Sequence, residues 1–390
     1  MKILVIPYNL LAHYLRCIAL VNKIELPADI TFLKSGKYDN FVEQNNYKLT
    51  NEALNSYSTA IDKSESFDFT WINNESVSDT VNSLINIIKS ENPDYIIGDT
   101  FLGLRVAAEY CRIPLISILN AYLTHFYKGH RPVPHNHRAN LFKAGVPKLA
   151  WHRILKSVEK QTLRNVHKPF RQIRKELHLN EYKDLFDEFA GAYNLLCDDP
   201  YIFPSVNLPA KTDYCGPLLY QYNSSNPKLL EFLENRRNKK NILITMGSTG
   251  KTSSVGDLKN EFWSDYNIIL TGAPKDEQKD NIYYTNFINY DEVANHLDLI
   301  ICHGGNGTVY QAINYNVSVI AIPRIFDQEW NAYRFKELSI CKVWFPDGKI
   351  EKLYHMIKNT LDRNSTYAKE FQLNTNLNTY INKVIKELSY

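Results

Sequence analysis

Nowhere in its 390 positions does the sequence hold a run of about 18 or more apolar residues, so nothing in it reads as a membrane-spanning helix. Charge of one sign is also scarce. With 45 Lys and Arg against 42 Asp and Glu, the formal net charge is only +3, which removes a general case for nucleic-acid binding. The six cysteines (Cys17, Cys111, Cys197, Cys215, Cys302 and Cys341) include no C-x-x-C pair, which excludes zinc-ribbon and thioredoxin-type sites. Scattered cysteines at strand ends fit small core residues in a reducing compartment. The apolar start Met1–Pro7 lacks a small-residue cleavage site, and polar Asn9 and His13 interrupt it, so it reads as a first strand and not a signal peptide. Without such a signal, triplets such as Asn306-Gly307-Thr308 carry no glycosylation meaning. The expectation is a cytoplasmic protein.

What is present is length and rhythm. A chain of this size exceeds one ordinary core, and its 44% hydrophobic content can fill two. Short apolar runs alternate with helix-length amphipathic stretches. The runs predict strands at 2–6, 30–34, 94–98, 114–119 and 192–197, with helices near 13–23, 77–90, 102–110 and 147–177, the last broken at Pro169. Continuous Ile/Val/Leu runs with helices between them signal a parallel sheet covered on both faces. Proline-rich 198–217 and polar 221–228 interrupt the rhythm, as a domain junction does. It restarts with strands at 241–245, 267–270, 282–284, 299–302 and 317–322. The fold class is therefore α/β: two Rossmann-like, doubly wound domains facing across a cleft, with a helical carboxy-terminal segment packing back on the body. The expected boundaries are 1–220, 240–365 and 366–390.

The strand 299–302 runs directly into His303-Gly304-Gly305-Asn306-Gly307-Thr308, and a helix opens at Val309. Strand, glycine turn and helix offer backbone N–H groups and a positive helix end to a phosphate. The His303 imidazole and Thr308 hydroxyl add donors. This segment resembles the donor-binding signature His-x-Gly-x-Gly-Thr of the family-one nucleotide-sugar glycosyltransferases, which have the GT-B fold. The likeness continues through Val319-Ile320-Ala321-Ile322-Pro323 and Asp327-Gln328-Glu329-Trp330-Asn331-Ala332. It implies that His303, Gly307 and Thr308 bind the diphosphate, that Gly305 and Asn306 belong to the same donor site, and that Asp327 and Gln328 hold the donor sugar's hydroxyls. The plainer reading of Asp327 is a helix N-cap. Phe287 and Ile288 match the place where relatives hold the base, although relatives usually carry Pro at the Asn289 position. Gln311 stands where many carry the Glu that binds the ribose diol.

Gly247-Ser248-Thr249-Gly250-Lys251-Thr252 looks like a P-loop, but the Walker pattern needs Gly at position 245, where Thr stands. The family likeness assigns Gly247 and Ser248 instead to a turn over the donor phosphates. In the amino-terminal half, His13 matches the family's catalytic base, although it follows Ala12 where relatives carry Gly. Asp99, before a helix holding Ala107-Ala108, matches its carboxylate partner. The resemblance implies inverting displacement by a hydroxyl acceptor on a nucleotide sugar, UDP-linked by default and dTDP-linked as the alternative. No D-x-D motif of the other glycosyltransferase fold occurs, so the expectation is no metal and no cofactor beyond the co-substrate.

The loop histidines His125, His130, His135 and His137 fit no common zinc spacing and read better as part of an acceptor pocket. The basic stretch 128–175, with Lys128, Arg131, Arg138, Lys143, Lys148, Arg153, Lys156, Lys160, Arg164, Lys168, Arg171, Arg174 and Lys175, predicts a solvated helix face. Its alternative is peripheral contact with a membrane's inner face. Two rival functions remain: a glycosyltransferase-like protein that binds sugar nucleotides without catalysis, and a sugar-nucleotide epimerase, for which no carboxylate set is evident.

Overall fold

The computed structural model describes residues 1–54, 63, 65, 68–135, 137–142, 146–234, 238–346, 348–362, 373 and 379–388. Lys143 and, of the expected segment 366–390, residues 366–372, 374–378, 389 and 390 lie outside them. The chain forms two compact units: Met1–Leu218 with Asn374–Tyr390, and Leu219–Leu373.

In the first unit, β1 (Lys2–Pro7), β2 (Asp29–Lys34), β3 (Lys48–Ala53), β4 (Tyr95–Asp99), β5 (Leu115–Leu119), β6 (Tyr193–Leu196) and β7 (Thr212–Tyr214) form one sheet. Its order is β3-β2-β1-β4-β5-β6-β7, and every pair is parallel. Ile3, Leu4, Val5, Ile6, Ile96 and Ile97 are wholly buried, as strands covered on both faces must be. The strand order turns about between β1 and β4, which makes their carboxyl ends a topological switch point. Register places Pro7 beside Asp99 there.

The second unit repeats the plan with β8 (Lys240–Thr245), β9 (Tyr266–Thr271), β10 (Glu277–Lys279), β11 (Ile282–Thr285), β12 (Leu299–Cys302), β13 (Ser318–Ala321) and β14 (Cys341–Val343). The order is β10-β11-β9-β8-β12-β13-β14, parallel except for the β10–β11 hairpin. Its switch point lies between β8 and β12, where Thr245 sits beside Cys302.

The long basic stretch divides into helices Lys148–Val166 and Lys168–Glu176, with Pro169 in the first turn of the second. At the carboxy terminus, helix Thr379–Leu388 buries Ile381, Val384 and Ile385 and packs against β6 of the first unit. The Asn382 amide accepts from Glu25 N at 3.2 Å and donates to Lys23 O at 3.0 Å. All six cysteines are unpaired and five are buried.

Candidate active site

At the first switch point, helix Leu11–Val21 starts soon after β1 and carries His13 in its first turn. Asp99 ends β4 and is wholly buried. The expected pair forms: His13 Nδ1 lies 3.1 Å from Asp99 Oδ2. A third partner was not foreseen. Arg16 Nε donates to Asp99 Oδ2 at 2.7 Å, and its Nη2 donates to Asp99 Oδ1. Burial alone would raise the Asp99 pKa, but the guanidinium and imidazole outweigh it and hold the carboxyl at about 2. Arg16 Nη1 reaches Asn120 Oδ1 at 2.9 Å and Cys197 Sγ at 3.3 Å. Thr100 adopts a positive φ of 46°, costly for a β-branched residue. Its hydroxyl lies 3.2 Å from Asp99 Oδ1 and 3.4 Å from His13 Nδ1. Arg16 stands three residues after His13, on one helix face, and that spacing was the available signal.

At the second switch point the glycine loop enters helix Asn306–Asn314, whose start at Gly305 has no side-chain cap. That arrangement leaves first-turn N–H groups to an anion. The His303 ring is wedged between two loops. A Cβ on Gly247 would meet its Cε1 at 2.7 Å, and one on Gly305 would meet its Nε2 at 2.3 Å. Gly247 itself needs a positive φ of 57°. Burial pushes the His303 pKa down to about 4, and its Nδ1 is buried with no hydrogen-bond partner. The imidazole is therefore neutral at physiological pH. Gly247, Ser248 and Gly307 are exposed, and the Thr308 side chain bonds the Tyr290 hydroxyl.

Other expected donor residues are placed differently from one another. Phe287 meets Tyr222 edge to face with ring centroids 5.0 Å apart, and Ile288 is buried. Gln311 is buried and donates to Tyr220 O at 3.3 Å. Gln328 is 3% exposed, and both ends of its amide are engaged: Nε2 donates to Thr249 Oγ1 at 2.7 Å, while Oε1 accepts from Arg324 N at 2.9 Å. Ile325 N adds a longer bond of 3.4 Å to Oε1. The N-cap reading of Asp327 is corrected. Helix Phe326–Glu337 has Ile325 at its N-cap position, so Asp327 lies inside the first turn, and Gln328 bonds the backbone there. Arg324, also unforeseen, donates from Nη1 to Thr249 O at 2.9 Å and ties the loop after β13 to that after β8. No α-helix follows Lys251, only a 3-10 turn, Thr252–Val255, so the P-loop likeness lacks its structural context.

The loop histidines do not gather as a set. Among the described residues, His125 joins Asp184 and Asp187 in the one group of three potential metal ligands. Ion pairing accounts for it: His125 Nε2 lies 3.0 Å from Asp184 Oδ1, and that bond raises the His125 pKa. His137 Nδ1 accepts from Ala139 N at 3.1 Å.

Residues 220–385 match the glycosyltransferase family 28 C-terminal domain. The amino-acid sequence is similar to a PGL/p-HBAD biosynthesis glycosyltransferase of Mycobacterium tuberculosis, 28% identical over 252 residues, covering 63% of this chain and 57% of that protein. Over that stretch the chain is similar to glycosyltransferases. A PGL/p-HBAD biosynthesis rhamnosyltransferase of Mycobacterium bovis is 25% identical over 254 residues, covering 63% of this chain and 55% of the relative. An inactive PGL/p-HBAD biosynthesis glycosyltransferase of the same species is 30% identical over 167 residues, 42% of this chain and 44% of that one. The chain thus matches about half the length of these curated relatives, from 44% to 57%. Solved GT-B structures match nearly end to end. The glycotransferase of kitacinnamycin has a TM-score of 0.66 at 16% identity, covering 99% of this chain and 98% of that one. VinC in complex with dTDP has 0.64 at 16%, covering 100% and 98%. The spinosyn rhamnosyltransferase SpnG with thymidine diphosphate has 0.63 at 12%, covering 100% of both. No helix among the described residues is long and apolar enough to cross a membrane.

Proposed function

We propose that the protein transfers a sugar from a nucleoside diphosphate donor to an acceptor hydroxyl with inversion, using His13 as the base. The observation that carries this reading is the His13–Asp99 contact at 3.1 Å, with the carboxylate wholly buried and held ionised. Nδ1–H donation to Asp99 leaves the Nε2 lone pair to take the acceptor's proton. The acceptor oxygen forms its bond to the anomeric carbon as the bond to the diphosphate breaks. The leaving diphosphate carries away the electron pair. The glycine loop and the uncapped start of helix Asn306–Asn314 would stabilise its charge with N–H dipoles.

A thymidine diphosphate sugar is the favoured donor and a UDP-sugar the second. The support is the thymidine nucleotides bound in VinC and SpnG and the rhamnosyltransferase among the relatives. The acceptor is a hydroxyl on a small molecule, lipid or glycan. His13→Ala should abolish turnover with a dTDP- or UDP-sugar while leaving dTDP or UDP binding intact by calorimetry. Retained turnover rejects His13 as base. A non-catalytic binding role has one specific support, since Gln328 and Gln311 use their amides inside the protein. Donor hydrolysis or transfer by the wild type would exclude that role.

Peripheral contact with anionic lipid is the finer proposal for the basic stretch. Ile154 and Val158 are 47% and 49% exposed among exposed Arg153, Lys156, Lys160 and Arg164, while Glu159 pairs with Arg131. Sedimentation with anionic but not zwitterionic vesicles supports it, and absence of binding at low salt rejects it.

A further inference from the structure

We infer that Arg16 is a positioning residue for the base. Its guanidinium fixes the orientation of Asp99 and sets the pH at which His13 takes up a proton. The inference rests on His13 acting as the base, and its test separates the two.

Each guanidinium nitrogen has a defined partner. Nε and Nη2 grip the two oxygens of Asp99 as a fork, and Nη1 is tied to Asn120 Oδ1 at 2.9 Å. Asn120 is itself anchored, since its Nδ2 faces the Asp198 carboxylate, 3.4 Å from each oxygen. The Arg16 side chain is 13% exposed, so solvent screens it little. It therefore acts as a brace that stops the Asp99 carboxylate turning away from His13.

The brace also carries a charge. Arg16 Nη2 lies 3.3 Å from His13 Nδ1, close enough for its cation to oppose protonation of the imidazole. By pairing with Asp99 it also offsets the negative charge that would otherwise favour imidazolium. The other groups facing His13 are weak by comparison. They are the Thr100 hydroxyl at 3.4 Å and the Tyr8 ring, with centroids 5.6 Å apart. Cys197 Sγ touches Arg16, and burial raises its thiol pKa, so it stays neutral. Cys17 on the same helix is likewise buried and neutral. The cation and carboxylate are thus the two charged groups against His13 Nδ1, at 3.3 and 3.1 Å.

A brace with no catalytic consequence would alter stability and nothing else, so the readout must be the titration itself. The His13 ring is followed by NMR across pH in the wild type, Arg16→Gln and Arg16→Lys, assigned with His13→Ala. Folding is verified by thermal melts. The expected midpoint rises by about one pH unit in Arg16→Gln. It rises less in Arg16→Lys, which retains a cation without the fork and is the variant to read if glutamine does not fold. The acid limb of kcat/KM should move by the same amount, lowering kcat/KM about tenfold at pH values below the wild-type midpoint. A His13 titration unmoved, or moved downward, in the folded variants overturns the inference. A moved titration with an unmoved acid limb upholds the role of Arg16 and rejects His13 as the base.

Discussion

The Asp99 carboxylate, wholly buried at the end of β4, is ionised because Arg16 and His13 compensate its desolvation. Its folded pKa of about 2 lies below the ordinary 3.8, so it stabilises the fold above that value. That stability is lost as pH falls from about 4 through 2. His303 acts in a different window. Its folded pKa of about 4 lies below the ordinary 6.5, so the unfolded chain binds more protons between those values. Stability therefore rises with pH from about 4 to 6.5 through this group, by on the order of 3 kcal/mol. His303→Asn should flatten the upper window and leave the lower one, read from urea midpoints between about pH 2 and 7. Asp99→Asn keeps the shape but leaves Arg16 without its counter-charge. It should slow turnover by about a hundredfold or more and destabilise the fold by about 3 kcal/mol.

Among the elements, the glycine loop has room for the His303 ring because Gly247 and Gly305 beside it lack side chains. Gly305→Ala would place a methyl 2.3 Å from the ring, against a helix start that packs closely. The expected outcome is a displaced imidazole and nucleotide affinity lowered about tenfold by calorimetry, with unit melting little changed. The strands teach a related lesson. Each strand interior to either sheet is a continuous apolar run and was legible. The strands missed are β3, β7, β10 and β14, which are the four sheet edges. Lys48–Ala53 and Glu277–Lys279, for example, are largely exposed and polar and carry no apolar run to read.

For the molecule as a whole, the chain ends in the unit where it began. Helix Thr379–Leu388 belongs with the first unit, where Ile381, Val384 and Ile385 are buried. A chain ending at Leu373 should therefore lose stability in the first unit while the second still melts higher with added dTDP or UDP. A calorimetric scan with and without nucleotide checks this. Loss of the nucleotide response would contradict it. Local pattern determined much of this protein: the alternation of apolar strands and helices, the doubly wound class, and the residue types that end β1, β4, β8 and β12. Tertiary structure alone decided which side chains meet. Arg16 reaches Asp99 across 83 residues, Gln328 reaches Thr249 across 79, and Asn382 reaches Lys23 across 359. Periodicity reports which face of an element is buried. The partner of a buried charge or amide depends instead on which elements the sheet order brings together, and no window of sequence holds that order.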